Sequence, residues 1–276
     1  MITFDTPVDE NDELDFSPIL NASKELAKYL ENGSTIIVSS QVPVGTCDQI
    51  KSLIKQNNPS LDFDIAYSPE NVRLGQAIEC FKNPQRIVIG ADNDLTLERA
   101  EALFDVIIAP KLRMNLRTAE MTKHALNALL ATSISFTNEI ANLCDELGAD
   151  ALKVAEALHS DERIGLKLPL QPGLGFAGGT LARDLKILKN LGEGFGYETP
   201  LISGVLTVNE RQNRVVMRKL QKVDTPAKRV ENGCGGLTYK AGTSTLRRSA
   251  ALEIIKDLTH NGAVVKAYDP KASLAV

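Results

Sequence analysis

Cysteine is scarce in this chain and widely dispersed: Cys47, Cys80, Cys144 and Cys234 are the only four in 276 residues, and no two stand at C-x-x-C spacing. That excludes the common zinc patterns and a disulfide framework, so no metal site is expected and reduced thiols are the default. Long apolar runs are missing as well. No stretch reaches the roughly 18 apolar residues that a membrane span needs, and no charged-then-apolar leader opens the chain, so a cytoplasmic protein with no membrane partner is expected. Positive charge is also short. The 31 Lys and Arg face 35 Asp and Glu, a net charge of −4, with no basic cluster interleaved with aromatics, which argues against nucleic acid. A last absence is local. Dinucleotide folds hold a pyrophosphate on G-x-G-x-x-G between a strand and a helix, and nothing before Gly33 supplies that turn.

What is present starts with size and patterning. With 43% apolar residues, 276 positions can build cores for two domains or parts of three. After an acidic loop from Asp5 to Asp15, Ser17-Pro18 opens a helix to about residue 29, with Ser17 as its cap. Strand-like 34–40, helix-like 47–56, strand-like 63–67 and 86–90, and a helix over 95–104 follow. This alternation predicts an α/β fold with a parallel, doubly wound sheet.

Residues 118–148 then read as one long helix, TAEMTKHALNALLATSISFTNEIANLCDELG, with no proline and no internal glycine. Thr118 is its expected N-cap, Glu120 sits in the first turn, and Gly148 supplies a left-handed stop. Leu126, Leu129, Leu130, Ile134, Ile140, Leu143 and Leu147 recur at helical spacing, while Ala128, Ala131, Ser133 and Ser135 keep other faces small. Such a helix can pack on several sides, a second copy included. Lys123 and Asn127 stand at i and i+4 and project together; on spacing alone the pair reads as a solvated edge. His124 and His159 lack acidic or nucleophilic partners at motif spacing and read as ordinary helix residues.

The string Glu120-x-x-Lys123-x-x-x-Asn127, followed by small residues and Asn138-Glu139-Ile140, resembles the central helix of the UDP-glucose/GDP-mannose dehydrogenase family. Further segments extend the resemblance: QVPVGT (41–46), SPENVRLGQAI (68–78), LQPGLGFAGGTLARDLKIL (170–188) and LTYKAGTSTLRRS (237–249). The family oxidises the C6 alcohol of a sugar nucleotide with NAD. The resemblance therefore implies NAD as cofactor and a UDP-sugar as substrate. By the same match Lys123, Asn127, Asp184 and Glu70 fall on catalytic positions, Arg163, Gly175, Phe176 and Lys240 on substrate contacts, and Thr6, Gln41 and Arg247 on cofactor contacts. Arg163 matches an arginine that reaches the neighbouring subunit's site, which implies a homodimer. The family's glycine-loop pattern also places its catalytic cysteine at Thr180, and many relatives carry a second glutamate where this chain has Leu74.

That departure has chemical weight. A thiol with a reference pKa near 8.5 can trap an aldehyde as a thiolate, whereas an unassisted hydroxyl is a weak nucleophile at neutral pH. Thr180 also stands where it can cap the helix that begins at Leu181. Beyond residue 197 a single helix of some 20 residues is expected, with Asn209 and Arg214 facing solvent, and ENGCGG (231–236) reads as an interrupted strand. The expected architecture is an incomplete Rossmann-like NAD domain over 1–112, a central all-helical dimerisation domain over 113–222, and a partial Rossmann-like UDP-binding domain over 223–276. Relative to the family the chain is expected to be truncated at both ends. Two functions follow: a nucleotide-sugar 6-dehydrogenase, or a catalytically inactive relative that keeps dimerisation and nucleotide-sugar binding.

Overall fold

The computed structural model describes all residues except 5, 7–13, 71, 73–74, 178, 223–230, 247 and 273–276, and the side chains of 231 and 232. It divides into two compact units, Met1–Leu126 and Asn127–Val276.

In the first unit β1 (Ser34–Val38), β2 (Phe63–Tyr67), β3 (Ile87–Ala91) and β4 (Lys111–Met114) form one sheet in that order. Alternate residues of β1 face opposite ways, as a two-residue period requires. Ile36 and Val38 join Ile19, Ile50, Ile54 and Ile65 on one face, and Ile37 joins Ala66, Ile89, Leu97 and Phe104 on the other. Burial on both faces is why the strand sequences read as continuous apolar runs. The helices of this unit are α1 (Ser17–Leu26), α2 (Thr46–Asn57), α3 (Ala77–Lys82) and α4 (Asp94–Ala102).

The sheet is not wholly parallel. β1 with β2 and β3 with β4 run parallel, but β2 and β3 are antiparallel and meet at Ala66–Ala91 and Tyr67–Gly90. A parallel return needs a crossover packed on the sheet, and α3, which has no buried residue, is not one. Two expected caps also move. Asp15 Oδ1, not Ser17, receives the first free amide of α1, that of Ser17 at 2.9 Å. Asn115 Oδ1 accepts from Thr118 N at 2.8 Å, so α5 (Leu116–Leu147) starts earlier than its Thr118 signal. Gly148 ends it at φ +69°, as expected.

The second unit contains the rest of α5, then α6 (Ala151–His159), α7 (Leu181–Gly194), α8 (Pro200–Asn213), α9 (Val215–Lys222), β5 (Glu231–Gly235), α10 (Ala250–His260) and β6 (Val264–Tyr268). Ala131, Phe176, Leu185 and Val205 form its buried centre, with Ile134 and Leu206 packed around them. Against this core the opposite side of α5 leaves Phe136, Leu143 and Leu147 exposed, and Leu152 of α6 is exposed too. The expected single helix after residue 197 is two, broken at Arg214 (φ −96°, ψ 9°), a break that neither proline nor glycine announces. The segment expected to be an interrupted strand pairs in parallel with β6 over all five residues, Glu231–Val264 to Gly235–Tyr268. Backbone groups alone make that ladder, and a Cβ added at Gly233 or Gly235 would meet nothing within 4 Å.

Space is scarcest where β3 approaches the start of α5. A Cβ on Gly90 would lie 2.5 Å from the Ala119 Cβ and 3.0 Å from the Asn115 carbonyl oxygen, so a methyl group there must push the helix off the strand. Gly90→Ala should therefore destabilise the protein by about 1–3 kcal/mol. Urea unfolding with an unchanged slope and a lowered midpoint is the expected result.

Candidate functional site

The site is built from α5 outward. Within the first unit, the early turns of α5 turn Glu120, Lys123 and His124 inward, and each is buried. The Glu120 carboxylate lies under the N-terminus of α2, accepting from Gly45 N at 2.6 Å and Cys47 N at 2.9 Å. Its charge meets the positive end of the helix and satisfies donors that have no partner within it. Gly45 makes this possible through its left-handed φ of +93°. One turn on, His124 Nε2 lies 2.9 Å from the Val42 carbonyl oxygen. A carbonyl can only accept, so the ring donates from Nε2. The turn from Val42 to Cys47 is thus held twice from one helix face. Burial, with the neighbouring Glu120 charge adding to it, pushes the Cys47 thiol far above its ordinary value. Cys47 is therefore inert as a nucleophile.

Lys123 Nζ donates to the Glu70 carbonyl oxygen at 2.9 Å, which brings two of the sequence-derived catalytic candidates together. The Glu70 side chain turns back on its own loop, accepting from Val72 N at 2.7 Å. Ser39, Ser68, Glu70, Cys80, Phe81 and Phe104 line a cleft beside it. Gln41 and Thr6 are both buried. Leu74 lies outside the described residues.

Within the second unit, Asn127 Nδ2 donates to Asp184 Oδ2, and both side chains are buried. Asp184 stands in the first turn of α7. Thr180 precedes that helix as expected, yet its backbone is already helical (φ −92°, ψ −53°) and its side chain makes no cap hydrogen bond. The capping expectation for Thr180 is therefore not met; its residue is exposed. The glycine loop before it is tightly held. Asn138 Oδ1 accepts from Gly173 N at 2.9 Å, Gln212 Nε2 donates to Gly173 O at 2.6 Å, and Asn209 bonds both the N–H and the C=O of Phe176, at 2.7 and 3.1 Å. Asn209, expected to face solvent, is only 9% exposed because this loop covers it. Arg214 does face solvent, beside Glu210.

Two further candidates make local contacts of their own. The Arg163 side chain is 88% exposed and paired with Asp161 Oδ2 at 2.7 Å, a contact that holds the Asp161 carboxyl below its usual range. Lys240 sits in the turn after β5, where its carbonyl accepts from the Thr243 hydroxyl at 2.7 Å. Asp269, at the end of β6, accepts from Leu237 N at 2.7 Å, Thr238 N at 3.0 Å and Lys271 N at 2.7 Å, which lowers its pKa and fixes the start of the Lys240 turn. Gly178 and Arg247 lie outside the described residues. Sequence reasoning missed the structural duties of Glu120, His124, Asn209 and Gln212. A helix carrying two polar residues at i and i+4 within an otherwise buried turn was the available signal for the first two.

A dinucleotide cofactor can be tested against these residues. Ser40 Oγ, at the carboxyl end of β1, is buried with no hydrogen-bond partner among the described residues, beside the buried Gln41, which fits a polar ligand group at that strand end. The N-terminus of α2 does not fit an anion, because Glu120 already occupies its amides.

Residues 1–108 match the NAD binding domain of the UDP-glucose/GDP-mannose dehydrogenase family, 117–211 its central domain and 233–275 its UDP binding domain. The chain belongs to this family. It is 38% identical over 272 residues to the UDP-glucose 6-dehydrogenase TuaD of Bacillus subtilis, covering 98% of this chain and 59% of that protein. The UDP-glucose 6-dehydrogenase of Rickettsia typhi is 35% identical over 277 residues, covering 98% of this chain and 62% of that protein. The chain thus spans about three fifths of the length of these relatives. Among solved structures, a UDP-glucose dehydrogenase from the hyperthermophilic archaeon Pyrobaculum islandicum superposes with a TM-score of 0.89 at 31% identity, covering 98% of this chain and 63% of that one.

Removing the Glu120 carboxylate takes the acceptor from the part-buried Gly45 amide and the buried Cys47 amide at the start of α2. Charge-assisted bonds of this kind contribute about 1.5–3 kcal/mol each, so Glu120→Ala should lower stability by about 3 kcal/mol. The same substitution opens Cys47 to solvent. Faster reaction of that thiol with a soluble disulfide reagent is the expected companion result.

Proposed function

We propose that this chain carries the catalytic core of an NAD-dependent nucleotide-sugar 6-dehydrogenase, with UDP-glucose or a close analogue as substrate. The buried Asn127–Asp184 pair carries the reading, since an amide and a carboxylate at family-matched positions, bonded to each other, can together hold a water and take up a proton. Lys123 adds a cation held against the Glu70 carbonyl, four residues before Asn127 on α5. When bound at the Ser40–Gln41 end of β1, NAD supplies the hydride acceptor. The Lys123 ammonium stabilises the alkoxide that develops at C6, and Asp184, through a water held with Asn127, takes up the proton. Glu70, Gly175, Phe176 and Lys240 orient the sugar nucleotide, and Thr6, Gln41 and Arg247 serve the cofactor.

Thr180 divides two outcomes. With a hydroxyl in place of a thiol at position 180, the chain does not hold the aldehyde there as a thiohemiacetal, so oxidation stops at or slows after the first hydride. When residues 1–276 are completed with the flanking segments of the Bacillus subtilis relative, about one NADH should form per UDP-glucose, Thr180→Cys should raise this to about two, and Lys123→Ala should abolish both. A second reading, an inactive relative that retains nucleotide-sugar binding, is favoured by Thr180. UDP-glucose binding by calorimetry with no NADH formed in that assembly is the result that selects it.

The assembly is proposed as a homodimer. Phe136, Leu143, Leu147 and Leu152 are at least half exposed along α5 and α6, more apolar surface than one helix pair ordinarily leaves to water. A two-fold partner seated there covers them, and Arg163 reaches the partner's site. Light scattering at micromolar concentration should give about twice the 29.9 kDa chain mass.

A further inference from the structure

A loop that must wrap a ligand closely needs glycine, and glycine leaves its backbone with the most freedom to lose. In this chain that freedom is removed by amides. Four backbone groups of residues 173–176 are engaged by side chains from two helices: Gly173 N by Asn138 of α5, Gly173 O by Gln212 of α8, and Phe176 N and O by Asn209 of α8. Asn138 Nδ2 also donates to Leu174 O at 3.2 Å, and Asn142 Nδ2 fixes the orientation of Gln212 through its Oε1 at 2.9 Å. Asn138, Asn209 and Gln212 are all buried. Gly175 lies against the same amides so closely that a Cβ there would fall 2.5 Å from Asn213 Oδ1 and 2.7 Å from Asn209 Oδ1.

The bonding pattern is directional. Asn209 offers an acceptor to one peptide N–H and a donor to the C=O of the same residue, the way a neighbouring strand would. An ionised aspartate of the same shape can only accept, so it would set a carboxylate oxygen against the Phe176 carbonyl oxygen. Burial makes that mismatch costly.

We infer that Asn209 and Gln212, with Asn138, are positioning residues that fix the backbone of residues 173–176 in the conformation that receives a nucleotide sugar. The clamp stands on its own geometry; its ligand rests on the function proposed above. The two are separated by the experiment. Hydrogen–deuterium exchange is followed on the full chain for the peptide covering 173–176, with the amides of α7 as an internal control, in the wild type and in Asn209→Asp. At pH 7.5 the substitution should lower protection of the loop at least about tenfold and leave α7 unchanged; at pH 5 the newly protonated carboxyl can donate to Phe176 O, and protection should return toward the wild type. Unchanged loop protection at pH 7.5, or equal loss across α7, overturns the clamp. Should Asn209→Asp fail to fold, Gln212→Glu tests the same bond logic at Gly173 O, with the same expected loss and the same pH recovery. UDP-glucose is then titrated into each protein. A dissociation constant raised at least about tenfold at pH 7.5 and recovering at pH 5 supports the positioning role. Equal affinity in the face of lost protection overturns it. If the wild type binds no UDP-glucose, the proposed ligand fails, and the exchange result alone decides the clamp.

Discussion

The first unit depends on one buried charge. Glu120 sits beneath the N-terminus of α2, and because a carboxylate out of water must find donors, its position dictates where the turn after β1 lies. His124 repeats the constraint on Val42, and Lys123 applies it to the loop after β2. Two loops at strand ends, the parts of an α/β sheet where ligands bind, are set by three side chains within five residues of α5. Apolar packing makes the sheet; these polar ties choose its loop conformations. The close approach at Gly90 is part of the same arrangement, since only a bare backbone lets the helix come near enough for the side chains to reach.

The second unit solves a similar problem with neutral groups. The glycine loop has no charge of its own to anchor, so carboxamides do the holding, and the Asn127–Asp184 bond is left as the place where a buried carboxylate meets a donor. In the first unit burial acts on a thiol instead, and with the neighbouring Glu120 charge it pushes Cys47 far above its ordinary value.

Much of this was legible in the residues. The strand 63–67, the long helix with its Gly148 stop, and the family itself are carried by periodicity and by motif strings that survive intact. The antiparallel meeting of β2 and β3 was not legible, because strand patterns record which faces are buried and say nothing of direction. The capping side chains lie two residues before Ser17 at α1 and three before Thr118 at α5, where Asp15 and Asn115 compete. Asn209 was read as a surface residue because polarity was taken for exposure; its burial depends on a loop more than 30 residues distant in sequence, which no local pattern can report. Lys123 with Glu70 and Asn127 with Asp184 were assembled from motif matching, and helical spacing alone would have left Lys123 and Asn127 as an ordinary polar edge.

The β5 strand has an implication for how this chain can drift over generations. Its ladder with β6 is made by peptide groups, and its two described interior glycines face open space, so almost any side chain fits there without touching a neighbour. Selection on that segment therefore acts on the backbone N–H and the register and scarcely on residue identity. Proline is the exception, since it removes a ladder donor. A strand of this kind becomes unrecognisable by sequence long before it stops being a strand, and ENGCG, paired with β6 along its whole length, is an instance.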